Sequence, residues 1–190
     1  MLTLILGGAR SGKSKYALSL CKSSSRVIYI ATADPADDPE MRERIARHRA
    51  DRPFDWQTIE ELIDVSRVVS DAPTEAVLLI DCVTLWISNL MWKFKEESAA
   101  AQHRLVSTEI DNLIVTLRQR AEDHKAAVAA GKVVIVSNEV GGGLVPEHPV
   151  ARAFRDLQGF ANQHLAEAAD KVVLIIAGLP QVLKPGTTVN

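Results

Sequence analysis

The sequence is poor in cysteine, with only Cys21 and Cys82, and its N-terminal apolar run, Leu2–Leu6, stops at Gly7. Two cysteines without metal-site spacing exclude a disulfide framework and favour reduced thiols in or near the core. So short an apolar run, with no basic segment before it, is typical of neither a signal peptide nor a membrane span. We therefore expect a cytoplasmic protein.

An excess of either charge is also lacking. The 22 Lys and Arg residues and the 24 Asp and Glu residues leave a formal net charge of −2. No overall basic field is available to hold a nucleic acid backbone, so we expect no nucleic acid partner. Any phosphate must be held by local geometry, which favours a small phosphorylated ligand.

Short apolar runs rich in β-branched residues alternate with helix-like segments along the 190 residues. The predicted strands are 2–6, 26–31, 76–81, 132–137 and 171–177, with weaker candidates at 56–59 (an edge strand) and 181–184. The predicted helices are 13–22, 39–49, 61–70, 83–95, a broken segment over 97–129, and 149–169. This alternation predicts one α/β domain over 1–190, with a mainly parallel sheet between helices on both faces.

The loop after the first strand matches the phosphate-loop pattern G-x-x-x-x-G-K-[ST]. Its residues, all expected to bind nucleotide, are Gly7, Gly8, Ala9, Arg10, Ser11, Gly12, Lys13 and Ser14. Glycines allow a tight turn whose amides point at phosphate oxygens, and the lysine places a charge at the β and γ phosphates. The Arg10 side chain either reaches a phosphate or faces outward. The loop predicts a P-loop NTPase fold.

A metal-binding carboxylate is expected at the end of another central strand. Asp81 ends the apolar run 76–80, and with the Ser14 hydroxyl it would hold Mg²⁺, in part through water. The alternative is an ordinary helix-capping aspartate. A GTPase is disfavoured because the sequence lacks Asn-Lys-x-Asp, and the D-x-x-G match at 156–159 falls inside a predicted helix.

A histidine lies among arginines in the helix predicted over 39–49, where Asp38 is the expected N-cap and Pro39 the first residue. The four arginines of this helix are Arg42, Arg44, Arg47 and Arg49, with Arg52 just beyond. Positive neighbours disfavour the imidazolium form of His48, and guanidinium groups bind phosphate. A neutral imidazole could therefore attack an α-phosphate and release pyrophosphate. The alternative is a solvated basic helix face.

Other loops follow predicted strands, where ligands of parallel sheets bind. Thr32, Ala33 and Asp34 are candidates for nucleotide contact, or else form a helix-entry loop. Asn138 and Glu139, before three glycines, are candidates for the substrate pocket, or else belong to a structural turn. Arg152 and Arg155 could bind substrate phosphate, and surface or subunit contacts are the alternative.

The ordered set of motifs resembles the bifunctional adenosylcobinamide kinase/adenosylcobinamide-phosphate guanylyltransferases of cobalamin biosynthesis. Matching segments span nearly the whole chain, namely 7–14, 29–32, 41–53, 56–60, 79–90, 137–146, 152–170 and 177–184. The segment from about 93 to 131 carries no recognisable motif.

The resemblance implies two activities in a RecA-like P-loop fold. One phosphorylates adenosylcobinamide with ATP or GTP, and the other transfers GMP from GTP to that phosphate through a guanylylated histidine, here His48, with Lys13 also catalytic. The nucleotide contacts that it implies are Arg49, Ala50, Asp51, Arg52, Glu60 and Asp81. It also implies a corrinoid substrate, Mg²⁺ and a homotrimer. The rival hypotheses are a simple small-molecule kinase and a RecA-like nucleotide-dependent binding protein.

Overall fold

A computed structural model describes residues 1–35, 38–123 and 132–186. The described strands are β1 Leu2–Gly7, β2 Val27–Ala31, β3 Gln57–Glu60, β4 Val77–Asp81, β5 Val133–Asn138, β6 Lys171–Ile176 and β7 Leu179–Lys184. The described helices are α1 Lys13–Cys21, α2 Pro39–Ala50, α3 Val65–Asp71, α4 Val83–Lys93, α5 Ala99–Asp123 and α6 Pro149–Ala168. None of these helices has the length and apolar character of a membrane span.

All seven strands join one sheet in the order β3-β2-β4-β5-β1-β6-β7. Every pairing is parallel except that of β6 with β7, which is antiparallel. The strand β1 lies between β5 and β6. Its carboxyl end is therefore an inner position of the sheet edge at which parallel sheets bind ligands. This arrangement places the phosphate loop between the ends of β5 and β6.

The core lies on both faces of the sheet, because the central strands are apolar at successive positions. One face packs Leu4, Ile30 and Ile80 against α3, α4, α5 and α6. The other packs Ile5 and Val134 against α1 and the Trp56 ring. The predicted three-layer, mainly parallel α/β fold is therefore confirmed.

Helix α2 is the exception, since none of its residues is buried. The Asp38 carboxylate accepts the amide N–H groups of Glu40 and Met41 at 2.9 and 3.3 Å, and Pro39 is the first helical residue. Both predictions about this helix start are confirmed. A helix without a buried face is held by its ends and by polar contacts, so it gains little stability from packing.

Several predicted boundaries were wrong for local reasons. Helix α3 begins at Val65 and not at residue 61, because the Glu61 carboxylate accepts the amides of Ile63 and Asp64, both at 2.9 Å, and bends the chain. Helix α4 ends at Lys93. The predicted break within 97–129 is absent from 99–123, where α5 is continuous, and residues 124–129 lie outside the described residues.

The β6–β7 hairpin contacts the phosphate loop through its turn. Ala177 and Gly178 both have positive φ, 52° and 82°, as a two-residue hairpin turn requires. The amide of Gly178 donates to the carbonyl oxygen of Ser11 at 2.8 Å. The terminal strand was predicted over 181–184 and is longer, since β7 starts directly after this turn.

The buried Arg120 guanidinium joins α5 to the chain between α3 and β4. It donates to the carbonyl oxygens of Val69, Ala72, Pro73 and Ala76 at 2.7–3.2 Å. We expect Arg120→Met to lower the free energy of unfolding by roughly 3 kcal/mol, because these buried carbonyls would lose their donor. Urea denaturation measures the change, and Arg118→Met, at an exposed position of the same helix, is the matched control. Equal stabilities of the two variants would contradict this role.

Candidate active site

The phosphate loop turns tightly between β1 and α1, and two of its glycines are sterically required. A Cβ on Gly7 would lie 2.5 Å from the Ser11 Oγ and 2.7 Å from the Ile175 carbonyl oxygen. Gly12 has a φ of 95°, in the left-handed region that favours glycine. The amide of Ser11 donates to the Gly8 carbonyl at 3.3 Å and closes the turn. The loop can thus present its amides to an anion.

Lys13 is buried at the first position of α1, and its Nζ donates to the Gly8 carbonyl oxygen at 3.0 Å. Burial lowers the pKa of this ammonium, and the Arg44 charge acts in the same direction, whereas Cys82 and Asp81 oppose it. A desolvated ammonium interacts more strongly with phosphate oxygens than one in water does. Lys13 is therefore suited to bind the phosphates.

Helix α2 lies over the phosphate loop and bounds two cavities with it. The first, which we call the inner cavity, is lined by Lys13, Ser14, Tyr29, Ala31, Ala33, Met41, Arg44, Ile45, His48, Arg49, Arg52, Glu60, Asp81, Cys82, Leu85 and Asn138. The second, the phosphate cavity, has a volume of about 400 Å³ and is lined by residues 9–15 with Leu18, Glu40, Arg44, Arg47, His48 and Asp51. His48 and Arg44 line both cavities together with Lys13 and Ser14.

A carboxylate, a phenol and a guanidinium form one wall of the inner cavity. The Tyr29 hydroxyl donates to Oδ2 of Asp81 at 2.8 Å, and the Arg52 guanidinium lies over the Tyr29 ring, 3.5 Å from its centroid. Burial raises the pKa of Tyr29 well above its ordinary value, the Asp81 charge adds to this, and Arg52 opposes it. The phenol therefore stays a hydrogen-bond donor that fixes the Asp81 carboxylate.

The end of α2 is tied to the edge strand β3. The Arg49 guanidinium forms an ion pair with the Glu60 carboxylate, and Arg52 donates to the Thr58 hydroxyl at 3.3 Å. Both partners of the ion pair are largely exposed, so the pair contributes little to stability. Its main effect is to hold two charged groups at the rim of the inner cavity.

Three comparisons relate this site to known proteins. The family model described as cobinamide kinase/cobinamide phosphate guanyltransferase matches residues 3–183. The chain belongs to this family. It is 39% identical to the bifunctional adenosylcobalamin biosynthesis protein CobU of Escherichia coli (strain K12), over 97% of this chain and 100% of the relative. It is also 39% identical to the bifunctional adenosylcobalamin biosynthesis protein CobP of Pseudomonas aeruginosa, over 97% and 98% of the two chains.

Two solved structures have folds similar to that of this chain. An ATPase from a type III secretion system superposes with a TM-score of 0.57 at 11% sequence identity. The superposition covers 95% of this chain and 56% of the ATPase chain, so this chain spans about half the length of the ATPase. The RadB recombinase superposes with a TM-score of 0.50 at 15% identity, over 91% and 73%. The predicted RecA-like P-loop fold is confirmed, and these low identities carry no more than the fold.

Most of the residues predicted to bind nucleotide line the inner cavity or the phosphate cavity, and some do not. The phosphate-loop residues 9–14, Ala33, Arg49, Asp51, Arg52, Glu60 and Asp81 line one or both. Ala50 and Asp34 are exposed and lie outside both linings. Thr32 is buried, and its hydroxyl donates to the Cys82 carbonyl at 2.7 Å and accepts the Cys82 amide at 2.8 Å. Its side chain therefore holds the backbone of Cys82 in place, directly after β4.

Of the predicted substrate residues, Asn138 is the one that lines either of these two cavities. The Asn138 side chain reaches the inner cavity, where its buried Oδ1 has no protein partner. The Glu139 carboxylate accepts the Gly141 amide at 2.6 Å. Arg152 donates to the Pro146 carbonyl at 3.0 Å and Arg155 to that of Leu144 at 2.9 Å. Both guanidinium groups hold the loop before α6, and neither lines the two cavities.

Tyr29 is a site residue that the sequence did not single out. We expect Tyr29→Phe to raise the Mg²⁺ concentration for half-maximal kinase activity by about 3- to 10-fold, because Asp81 loses its donor. The phenylalanine ring keeps the stacking surface for Arg52, so the fold should be retained. Titration of activity with Mg²⁺ measures the effect, and Tyr16→Phe is the matched control because Tyr16 lies outside both linings. An unchanged Mg²⁺ dependence would contradict this role.

Proposed function

We propose that this chain phosphorylates adenosylcobinamide with ATP or GTP, and then transfers GMP from GTP to adenosylcobinamide phosphate through a guanylylated His48. The product is adenosyl-GDP-cobinamide. Membership in the cobinamide kinase/cobinamide phosphate guanyltransferase family supports both reactions. The observation that carries the proposal is that His48 lines two cavities together with Lys13 and Ser14 of the phosphate loop.

In the kinase step, the enzyme mainly aligns and neutralises the triphosphate. Loop amides and the Lys13 ammonium bind the phosphates, and the positive end of α1 adds to the field. The hydroxyl oxygen of adenosylcobinamide attacks the γ-phosphorus, and the bond from that phosphorus to its bridging oxygen breaks. A nucleoside diphosphate leaves with the electron pair. This chemistry needs positioning and charge stabilisation more than an enzyme nucleophile.

In the guanylyl step, an imidazole nitrogen of His48 attacks the α-phosphorus of GTP. The bond to the oxygen bridging the α and β phosphorus atoms breaks and pyrophosphate leaves, with Arg44 and Lys13 placed to neutralise its charge. An oxygen of adenosylcobinamide phosphate then attacks the same phosphorus, the phosphorus–nitrogen bond breaks, and the histidine is regenerated. The proposal accounts for a histidine within a cluster of arginines.

Mg²⁺ fits the oxygen groups of this site. Ser14 and Asp81 line the same cavity, and Tyr29 holds the Asp81 carboxylate in place. Within the described residues, no group of three or more His, Cys, Asp or Glu side chains is arranged to hold a metal. That agrees with Mg²⁺, which commonly takes one or two protein oxygens, phosphates and water. When bound with the nucleotide, the ion would neutralise phosphate charge.

We also propose a homotrimer, a cytoplasmic location and a single domain over 1–190. Support for the single domain comes from the one sheet that joins all described strands, and for the cytoplasm from two buried free thiols. Support for assembly comes from Leu179, Val182 and Leu183, which are exposed apolar residues of the edge strand β7.

The assembly proposal has a direct test. We expect light scattering after size exclusion to give three times the chain mass for the wild type. Val182→Lys should give a lower mass, because a charge would be buried in the contact. Val115→Lys, at an exposed position of α5, is the control. A wild-type monomer would overturn the trimer.

The two activities are tested with two labels. Purified protein with Mg²⁺ and adenosylcobinamide should transfer label from γ-labelled ATP to the corrinoid. With α-labelled GTP, label should appear on the protein in a bond that acid cleaves and alkali leaves, and then pass to adenosylcobinamide phosphate. A simple kinase would give the first transfer without α-label on the protein. A nucleotide-dependent binding protein would give neither.

A further inference from the structure

A third cavity lies beside the phosphate loop, next to the turn of the β6–β7 hairpin. This hairpin cavity has a volume of about 580 Å³ and is lined by residues 8–11, 174–177, Glu139, Val140, Gly142 and Gly143. It shares residues 9–11 with the phosphate cavity, but Lys13, Ser14 and His48 are not among its lining residues. The reactions described above assign nothing to it.

The order of groups along the phosphate loop gives the direction of a bound triphosphate. In such loops the amides hold the α and β phosphates, the lysine reaches the β and γ phosphates, and the hydroxyl after it binds the metal. Here Lys13, Ser14 and Asp81 line the inner cavity, whereas the first half of the loop lines the hairpin cavity. In the sheet, Asp81 ends β4 on one side of β1, and the hairpin cavity lies at the end of β6 on the other side. A triphosphate whose metal-bound γ end faces Asp81 therefore directs its α end, and its nucleoside, towards the hairpin cavity.

The walls of the hairpin cavity suit a purine nucleoside. Its volume is within the range of about 300–1,000 Å³ that is typical of small-ligand sites. Ile176 is 56% exposed although it is apolar, and Val140 and Leu174 are half-buried around it. The Glu139 carboxylate offers an acceptor for ribose hydroxyls, and its amide is fixed to the Gly7 carbonyl at 3.1 Å. A Cβ on Gly142 or Gly143 would meet no atom within 4 Å, so the rim is open.

This orientation suits the kinase step but not the guanylyl step. It presents the γ-phosphate to the inner cavity, where an acceptor hydroxyl can attack it and release a nucleoside diphosphate. His48 then faces the γ end, whereas guanylylation requires it to face the α-phosphorus. For the guanylyl step, GTP must instead bind with its α-phosphorus, and not its γ-phosphorus, next to His48.

We propose that the hairpin cavity binds the purine nucleoside of the phosphoryl donor. In the kinase step the nucleoside then lies next to the turn of the β6–β7 hairpin, in a site that His48 does not line. The inference rests on the proposed function, since it assigns a nucleoside site to the kinase step of that proposal.

The first test is Ile176→Trp, which fills the apolar wall without adding a charge that would repel phosphates. The KM for ATP in the kinase step should rise at least about 10-fold, while α-label from GTP on the protein stays within about 2-fold. Val115→Trp, at a similarly exposed residue (63%) of α5, is the control. Equal loss of both reactions, or no loss, would overturn the inference. A higher KM for adenosylcobinamide alone would assign the cavity to the acceptor.

A second test uses the wild-type chain, so it does not depend on the folding of a variant. Irradiation with 8-azido-ATP, followed by peptide mass mapping, should place label within 139–143 or 174–177. Label confined to inner-cavity residues would overturn the inference. Absence of both enzymatic transfers in the wild type would instead count against the proposed function, and the photolabel would still locate the nucleoside.

Discussion

Replacing His48 with asparagine is expected to abolish α-label on the protein and to lower guanylyl transfer by about 10³-fold or more, because the amide is not a nucleophile. Phosphorylation of adenosylcobinamide should stay within about 3-fold of wild type. His48 lies on α2, which has no buried residue, so the exchange should leave the fold unchanged. Separate assays with γ-labelled ATP and α-labelled GTP measure the two steps.

The control for this experiment is His103→Asn, at an exposed histidine of α5 that lines none of the three cavities near the phosphate loop. It should behave as wild type in both assays. Acid-labile label on the His48→Asn protein would place the covalent intermediate on another residue. Loss of the kinase step as well would indicate that the imidazole binds phosphate in both reactions.

Lys13→Met is expected to lower kcat/KM of the kinase step by about 10³-fold and to reduce guanylylation strongly, because both reactions need the ammonium to hold the triphosphate. Methionine keeps most of the side-chain length but carries no charge. Removing a buried ammonium, whose pKa burial already lowers, should not reduce the melting temperature. Steady-state kinetics and thermal unfolding separate the loss of function from a loss of fold.

A matched control is Lys22→Met, at an exposed lysine just after α1. It should retain both activities. If Lys13→Met kept activity within about 10-fold of wild type, the loop would not bind the transferred phosphates in the way proposed. Equal losses in the two variants would point to a general effect of charge removal near α1.

Features that depend on local chemistry were predicted well from the sequence. The phosphate loop needs glycines and a lysine at fixed spacing, and the start of α2 needs Asp38 and Pro39 next to each other. The central strands are continuous apolar runs, which predict burial on both faces. The shifted start of α3 depends on one carboxylate, Glu61, that bonds to two nearby amides. Such a bend has no distinct sequence pattern, so the start of α3 could not be predicted.

Features that depend on contacts between distant segments could not be predicted. Tyr29 looks like any aromatic residue of a buried strand, and its bond to Asp81 joins residues 52 positions apart. Thr32 was a candidate for nucleotide contact because it follows a strand, and the structure bonds its hydroxyl to the backbone of Cys82, 50 positions away. Residue type indicates which bonds a side chain can make, whereas only the fold selects the partner.

The bond from the Gly178 amide to the Ser11 carbonyl has a consequence for the order in which the enzyme becomes active. The phosphate loop leaves the ribosome well before residue 178, so its hairpin contact is made only after residue 178 has been synthesised. A nascent chain that stops before this turn lacks the contact although it contains every residue of the loop. Nucleotide affinity should therefore develop only after the hairpin turn has been synthesised and has met the phosphate loop.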